Sequence, residues 1–299
     1  MVARANGLVA YLMTPLSRDG VHLKLELFEP YIDKLIESCR LGAVACLAND
    51  FAYLTDDERR AVATEVIRCV RGRLPVHVCT TAISTFHAIE FSKHAEASGA
   101  ERVIVNPFSY MPVNDSQILK HYERIARALR IPIHIYNNPT ATKTNMSVGL
   151  LRQIVDATGA KSIKEAGSNV EKFQELRAEF GEEVVLHVGF HYMALGGFAL
   201  GATAWDAGLV PSIAHQCERL YTSAVIDKDL ESAQRRFSTL VPLFQFFREK
   251  GALPSLKALA EMDGLELGGI RAPVEALGPG DVKELHVRFE RAIRGEDAT

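Results

Sequence analysis

Two residues with side chains suited to carbonyl chemistry stand at the ends of neighbouring predicted strands. Lys164 lies in Ser-Ile-Lys-Glu-Ala, and Tyr136 lies in Ile-Tyr-Asn-Asn-Pro. Burial in a strand would depress the lysine pKa, and the neutral amine can attack a ketone to form a Schiff base. A phenol nearby can relay protons during that reaction. Taken alone, each residue also fits an ordinary role, as a strand-end lysine that reaches solvent or a buried tyrosine with one hydrogen bond.

The elements that would position these side chains follow a regular alternation. Short runs rich in Val, Ile and Ala are followed by segments with helical periodicity, such as residues 56–69 and 115–129, which is typical of βαβ units. Eight strands with crossover helices favour a closed (β/α)8 TIM barrel over an open sheet, and no glycine-rich nucleotide motif occurs. The predicted strands are residues 8–14, 43–48, 76–81, 102–106, 132–137, 162–165, 184–189 and 203–207.

Beyond the eighth strand the sequence predicts helices only. They cover residues 213–225, 229–248, 253–262 and 281–292. We therefore expect residues 1–210 to form the barrel, and residues 211–299 to form its last helix and a helical extension within the same structural unit. Catalytic side chains of such a barrel project from the carboxyl ends of strands, where Lys164 and Tyr136 stand.

Composition excludes several classes of function. The 299 residues carry 34 Lys and Arg against 37 Asp and Glu, a net charge of −3, without a basic stripe. We therefore expect no nucleic-acid or membrane partner. No apolar run approaches the roughly 20 residues of a membrane span, and residues 1–6 precede no long apolar segment. Five scattered cysteines without a CxxC pair indicate neither a disulfide framework nor a zinc ribbon. These features predict a cytoplasmic protein.

Several motifs together resemble the dihydrodipicolinate synthase and N-acetylneuraminate lyase family. They are the Tyr-Asn-x-Pro that begins at Tyr136, the Ile-Lys-Glu-Ala around Lys164, and the stretch from Gly189 to Leu200-Gly201-Ala202. The resemblance covers nearly the whole chain. It implies a barrel assembled as a dimer or a dimer of dimers, in which the strand-six lysine forms an imine with pyruvate or another 2-oxo acid. It assigns imine formation to Lys164 and proton transfer to Tyr136, places Gly189 at the substrate site, and implies no cofactor.

The sequence departs from the family pattern where the 2-oxo acid carboxylate is held. In place of Gly-Thr-Thr-Gly-Glu it has Cys46-Leu47-Ala48-Asn49-Asp50, so both threonine hydroxyls of the family proton relay are missing. We expect the backbone N–H groups of Leu47, Ala48 and Asn49 to bind the carboxylate instead.

Two further departures concern the second substrate. The second relay tyrosine of the synthases corresponds to Ser109, with Tyr110 one residue away, and either could complete the site of a neighbouring subunit. The arginine that grips the second substrate's carboxylate corresponds to Ala141. Loss of that guanidinium argues against the lysine-pathway reaction.

Charged and titratable residues on other strands suggest what replaced the missing threonine hydroxyls, relay tyrosine and arginine. Asp206 lies on strand eight, where it could bind substrate, accept a proton next to the imine, or form a structural ion pair. His77, His134 and His187 lie on strands three, five and seven. If all three face inward, they could form an interior polar cluster or, less expected, a metal site. We predict no metal.

These observations lead to one principal prediction. The protein is expected to be a carbon–carbon lyase or aldolase that forms a Schiff base with a 2-oxo acid. A 2-keto-3-deoxy sugar-acid dehydratase using the same imine, with Asp206 or Tyr136 as base, is the close alternative. A keto-acid-binding protein without turnover is a third possibility.

Overall fold

The chain folds into a closed barrel of eight parallel strands in a computed structural model, which describes residues 7–294. Each strand pairs with its sequence neighbours, and β8 pairs with β1. The predicted TIM barrel and its eight strands are therefore confirmed, while residues 1–6 and 295–299 of the predicted units lie outside the described residues. The strands are β1 (Gly7–Tyr11), β2 (Ala43–Cys46), β3 (Val76–Cys79), β4 (Arg102–Val105), β5 (Ile133–Asn137), β6 (Ser162–Glu165), β7 (Val185–Val188) and β8 (Ala204–Ala207).

Helices connect the strands and cover the outside of the barrel. Short 3-10 segments occur at Leu25–Leu27, Phe51–Tyr53 and His191–Met193, and a π-helical turn at Thr222–Ile226. The α-helices are α1 (Phe28–Ser38), α2 (Asp56–Val70), α3 (Thr85–Ser98), α4 (Asp115–Arg127), α5 (Pro139–Thr142), α6 (Val148–Thr158), α7 (Glu171–Phe180), α8 (Ala194–Ala199), α9 (Ala214–Tyr221), α10 (Leu230–Lys250), α11 (Ala252–Met262) and α12 (Pro279–Arg294).

Capping residues fix where the crossover helices begin. Thr55 caps α2 and Asn114 caps α4, each in a reciprocal capping box with the residue three positions later. These side chains satisfy backbone N–H groups that have no partner within the helix. The helix starts therefore follow from local sequence, and they fix the loops that leave the strands at the barrel mouth.

Strand register places the two predicted catalytic side chains at one level. Tyr136 on β5 pairs with Lys164 on β6, which pairs in turn with His187 on β7. Paired residues of adjacent parallel strands point to the same face of the sheet. Tyr136 and Lys164 line the cavity at the barrel mouth and His187 is hydrogen-bonded to Asp206 in the same cavity, so this face is the barrel interior.

The C-terminal helices complete one side of the barrel mouth. Phe244 and Phe247 of α10 are buried and line the same cavity as Lys164. Within residues 7–294, no helix combines the length and apolar character needed to cross a membrane.

Candidate active site at the barrel mouth

Lys164 lies on the floor of the cavity between two aromatic rings. Its side chain is buried, with 3% relative exposure. Nζ stands 3.7 Å from the ring centroid of Tyr11 and 4.2 Å from that of Tyr136. Within the described residues it forms no ion pair or hydrogen bond, so the amine is available to a ligand. The aromatic faces would stabilise a positive charge at this position.

Gly189 creates the space that the lysine side chain occupies. A Cβ atom at this position would lie 2.6 Å from Lys164 Cε and 2.8 Å from Lys164 Cγ. Carbon atoms in ordinary contact are about 3.5–4.0 Å apart. Glycine is therefore the one residue type that leaves Lys164 in its present position.

The Lys164 pKa is lowered from 10.5 to about 8. Burial is the main cause, because it penalises the ammonium form, and the negative charge of Asp206 opposes the shift. A pKa near 8 leaves about a tenth of the amine neutral at pH 7. That fraction is the nucleophile required for Schiff-base chemistry.

Asp206 is a buried carboxylate held by three donors. Its Oδ2 accepts hydrogen bonds from the Tyr11 hydroxyl at 2.7 Å and from His134 Nε2 at 2.9 Å. Its Oδ1 accepts a hydrogen bond from His187 Nδ1 at 2.8 Å. Burial favours the neutral acid, but the interactions with His187 and His134 outweigh it and hold the pKa of Asp206 well below its usual range. Asp206 is thus an anion and a weak base.

The predicted interior polar cluster is present, with a different arrangement from three equivalent histidines. His134 and His187 rings lie 4.5 Å apart and converge on Asp206. His77 faces inward as well, but its Nε2 lies 3.1 Å from Glu101 Oε2. Burial lowers the His134 pKa to about 3, so this ring is neutral at pH 7. The ligand atoms of His134, His187 and Asp206 lie within 4.8 Å of one another, but their contacts are direct hydrogen bonds.

The phenol of Tyr136 is oriented by its neighbour. Asn138 Nδ2 donates to Tyr136 Oη at 2.9 Å, so the phenol oxygen acts as acceptor in this contact and its own hydrogen remains available. Burial raises the Tyr136 pKa above its ordinary value. Tyr136 is therefore a neutral donor and not a phenolate.

The cavity around these groups has a volume of about 260 Å³, enough for a small substrate. Five of the predicted site residues line it: Lys164, Tyr136, Asn49, Gly189 and Asp206. The upper wall is aromatic and comes largely from Phe190, Tyr192, Phe244 and Phe247.

The other predicted site residues lie outside that cavity. Leu47 and Ala48 belong to the loop after β2, where Leu47 takes a left-handed conformation with a φ of 65°. Ser109 lines a separate depression of about 290 Å³ between the loop after β4 and α4. Tyr110 is 86% exposed. A single chain therefore does not bring Ser109 or Tyr110 to Lys164.

Sequence reasoning missed several cavity residues. Tyr11 ends β1, and the rule that strand ends carry the chemistry could have identified it. Asn138 follows Tyr136 within a motif that was recognised, although its contact with the phenol was not predicted. Arg248 of α10 also lines the cavity, with its guanidinium carbon 4.9 Å from the Tyr192 ring centroid. No local pattern distinguishes this arginine from others in the same helix.

The loop after β2 forms the cavity wall through a side-chain contact. Asn49 Nδ2 donates to the backbone carbonyls of Tyr11 and Leu12, each at 3.3 Å. Its amide hydrogens are thus directed to β1. A ligand carboxylate at this wall would have to meet backbone N–H groups of the loop.

Comparison with known proteins agrees with this architecture. The sequence matches the Dihydrodipicolinate synthetase family over residues 4–291. A 4-hydroxy-tetrahydrodipicolinate synthase of Sorangium cellulosum is 30% identical over 302 residues, covering 98% of each chain. An enzyme of the same name from Thermoanaerobacter sp. is 26% identical over 286 residues, covering 92% of each.

Solved structures give the same result. A Pseudomonas aeruginosa protein described as a candidate dihydrodipicolinate synthetase superposes with a TM-score of 0.92 at 30% identity, covering 96% of this chain and 99% of that one. An Acinetobacter baumannii dihydrodipicolinate synthase complexed with pyruvate has a TM-score of 0.89 at 24% identity, covering 96% and 98% of the two chains, which shows the shared fold. The chain therefore belongs to the dihydrodipicolinate synthetase family, a family of lyases built on the (β/α)8 barrel.

Proposed function

We propose that the protein is a Schiff-base lyase of the aldolase type, which cleaves a 2-oxo acid to pyruvate or a related product and an aldehyde. The observation that carries the proposal is the unpaired Lys164 amine, buried between two aromatic rings with a pKa near 8. An amine with this environment is suited to nucleophilic attack near neutral pH. The pyruvate complex of the Acinetobacter baumannii relative supports pyruvate as a reaction partner.

The reaction begins with bond formation between Lys164 Nζ and C2 of the 2-oxo acid. The carbonyl electrons move to oxygen, which takes one proton from nitrogen and a second from a donor, and leaves as water. The product is a protonated imine. A base then takes the proton of the C4 hydroxyl, the C3–C4 bond breaks, and its electrons move into the imine. An aldehyde leaves and an enamine remains, which is protonated and hydrolysed.

Tyr136 is the proposed donor and acceptor of these protons. In its contact with Asn138 the Tyr136 oxygen accepts a hydrogen bond. The hydroxyl hydrogen of Tyr136 is therefore free to point toward the ligand. The two family threonines that would share this task correspond to Leu47 and Ala48, which have no hydroxyl group. The proton relay is therefore shorter here. A positioned acid or base of this kind contributes about 10²–10⁴-fold to the rate.

The two ends of the substrate meet different surfaces. At the inner end, we propose that the backbone N–H of Asn49 binds the carboxylate, because Asn49 is the residue of the loop after β2 that lines the cavity, and the left-handed turn at Leu47 orients this loop. Arg248 lies at the outer end. Arg248 and Lys164 are the two Lys or Arg side chains among the described residues that line the cavity. Arg248 would bind a distal carboxylate from a different element than the family arginine, whose position is Ala141.

This arrangement argues against the lysine-pathway synthase and against dehydration. Ala141 contributes a methyl group to the cavity wall, so the guanidinium expected for that synthase is lacking at this position. Dehydration needs a base for the C3 proton, and Asp206 serves poorly because three donors hold it as an anion. Tyr136 is then left as the base, and cleavage is the reaction we favour.

Product analysis tests the proposed function. The protein would be incubated with 4-hydroxy-2-oxo acids and 2-keto-3-deoxy sugar acids, with and without a distal carboxylate, and the products separated and weighed by mass spectrometry. Cleavage gives pyruvate and an aldehyde, whereas dehydration leaves one carbon chain. Lys164→Ala is the control and should abolish either reaction. Substrate binding without product would identify a keto-acid-binding protein and contradict the proposal.

We also propose a homo-oligomer in the cytoplasm. Exposed apolar side chains occur at the depression that contains Ser109, where Ile83 is a lining residue, and within two residues of its lining residues in the sequence, at Phe86, Tyr110 and Met111. Such a patch is typical of a contact between copies of a chain. The five free cysteines suit a reducing compartment. Sedimentation of the purified protein should show a dimer or tetramer, and replacing Tyr110 and Met111 by serine should favour the monomer.

A further inference from the structure

A continuous column of hydrogen bonds runs through the barrel interior from the cavity floor toward the opposite end. It begins at Asp206, passes through His134 to Ser162 Oγ at 2.7 Å, and continues from Ser162 Oγ to Arg102 at 2.9 Å. Arg102 is buried at the first residue of β4 and binds Glu101 through two nitrogens. The column therefore connects the cavity floor with a buried guanidinium on the far side of the barrel.

The two ends of the column, a guanidinium that only donates and a carboxylate that only accepts, favour one direction for the bonds between them. A guanidinium only donates, so Ser162 Oγ must accept from it. The serine hydrogen then goes to His134 Nδ1, which is the other partner of Ser162 Oγ within residues 7–294. With Nδ1 as acceptor, the neutral His134 carries its hydrogen on Nε2 and donates to Asp206. Arg102 thus favours, through Ser162, the same His134 tautomer that the Asp206 carboxylate requires as an acceptor.

We propose that Arg102, acting through Ser162 and His134, holds Asp206 as a permanent anion beneath Lys164, where Asp206 is the counter-ion of the protonated imine. This rests on the proposed function of Lys164. Ser162 and His134 are positioning residues in this scheme, because neither lines the substrate cavity. Asp206 takes no proton and forms no bond to substrate during the cycle.

The position of Asp206 suits a counter-ion of the imine better than a direct ion-pair partner of the free Lys164 amine. The Asp206 carboxylate accepts hydrogen bonds from Tyr11, His134 and His187. Within the described residues it makes no ion pair with Lys164. The free amine is therefore not immobilised by a carboxylate. The Tyr11 hydroxyl bonds to Asp206 while the Tyr11 ring lies 3.7 Å from Lys164 Nζ, so the anion is one side chain away from the reacting nitrogen. Once the imine forms, its fixed positive charge faces a fixed negative charge.

Two of the three groups that are hydrogen-bonded to Asp206 are themselves uncharged, and His187 on β7 completes its set of partners. Tyr11 is neutral, since burial and the nearby Asp206 charge raise its pKa well above 10.0. Burial also keeps His134 neutral. The titratable side chains that interact with Asp206 or Lys164 from the surrounding elements are Tyr11 on β1, His77 and Cys79 on β3, His134 and Tyr136 on β5, His187 on β7 and His191 in the 3-10 segment that follows β7.

Ser162→Ala tests the column without changing a cavity residue. In the wild-type protein, nitrogen NMR of labelled histidine should show His134 with hydrogen on Nε2 and a bare Nδ1. In Ser162→Ala this preference should be lost, Asp206 should take up a proton, and the yield of reducible imine with pyruvate should fall about tenfold. In a plot of the rate of imine formation against pH, the fall on the acid side should move about one pH unit lower. The reason is that neutralising the Asp206 anion removes an interaction that raises the Lys164 pKa.

Controls separate this proposal from simple damage. Ser162→Thr keeps the hydroxyl and should restore the wild-type pH profile. Ser92→Ala removes another buried hydroxyl, bonded to Thr80 away from the column, and should leave the profile unchanged. A wild-type His134 with hydrogen on Nδ1 would overturn the proposal without any variant. An unshifted pH profile in folded Ser162→Ala would overturn it as well. Failure of the wild-type protein to form any imine would instead overturn the proposed function.

Discussion

Replacing Gly189 by alanine should disable Lys164 without unfolding the protein. The added Cβ would stand 2.6 Å from Lys164 Cε and 2.9 Å from Ala166 Cβ. Ordinary carbon contacts need about 3.5–4.0 Å, so the lysine must move by roughly 1 Å. A displacement of this size at a reacting group costs about 100-fold in rate. Gly189 has no left-handed φ, so alanine introduces no backbone strain that would confuse the result.

The assay is the rate at which borohydride traps a pyruvate adduct, measured together with thermal unfolding. Gly189→Ala should trap the adduct about 100-fold more slowly while the melting temperature changes by a few degrees. Gly149→Ala is the matched control, because its Cβ would meet nothing within 4 Å in α6. It should leave the trapping rate unchanged and keep or slightly raise the melting temperature, because alanine is favoured over glycine within a helix. A wild-type trapping rate in Gly189→Ala would refute the placement of Lys164 against Gly189.

Three other predictions follow from the site. The rate of imine formation should rise about tenfold per pH unit up to about pH 8 and then level off, because the Lys164 pKa is near 8; a rise that continues to pH 10 would indicate an ordinary lysine. Tyr136→Phe should slow turnover by about 10²–10⁴-fold in single-turnover measurements while substrate affinity stays close to wild type, and wild-type turnover would exclude the phenol as proton carrier. Arg248→Leu should raise KM about tenfold or more for 2-oxo acids with a distal carboxylate and leave KM for a substrate without one unchanged; equal effects on both would argue against recognition by this guanidinium.

Local sequence predicted the barrel because most strands are short apolar runs and several crossover helices begin at a side-chain cap. Predicted strands extended too far at several carboxyl ends. Residues 12–14 after β1, for example, are buried and apolar or small, although they follow the last paired residue Tyr11. Because loop residues at the barrel mouth are buried, their amino-acid composition resembles that of a strand.

The paired positions of Tyr136 and Lys164 were predictable because adjacent parallel strands align their ends. The rule that strand ends carry the chemistry could have identified Tyr11 at the end of β1, but an aromatic residue at the end of an apolar strand is also typical of ordinary packing, so its contact with Asp206 was not predictable. Arg248 was not predictable either, since its position depends on how α10 packs against the barrel. The contact of Asp206 with His187 joins the neighbouring strands β8 and β7, whereas its contact with His134 on β5 crosses the barrel interior and depends on how the sheet curves and closes.

The most direct test of imine chemistry at Lys164 is intact mass after borohydride reduction in the presence of pyruvate, repeated with other 2-oxo acids and on Lys164→Ala. The account predicts a covalent adduct of ligand size on the wild-type protein, located by peptide mapping at Lys164 and absent from the variant. No adduct with any 2-oxo acid, or an adduct that persists in Lys164→Ala, would contradict it.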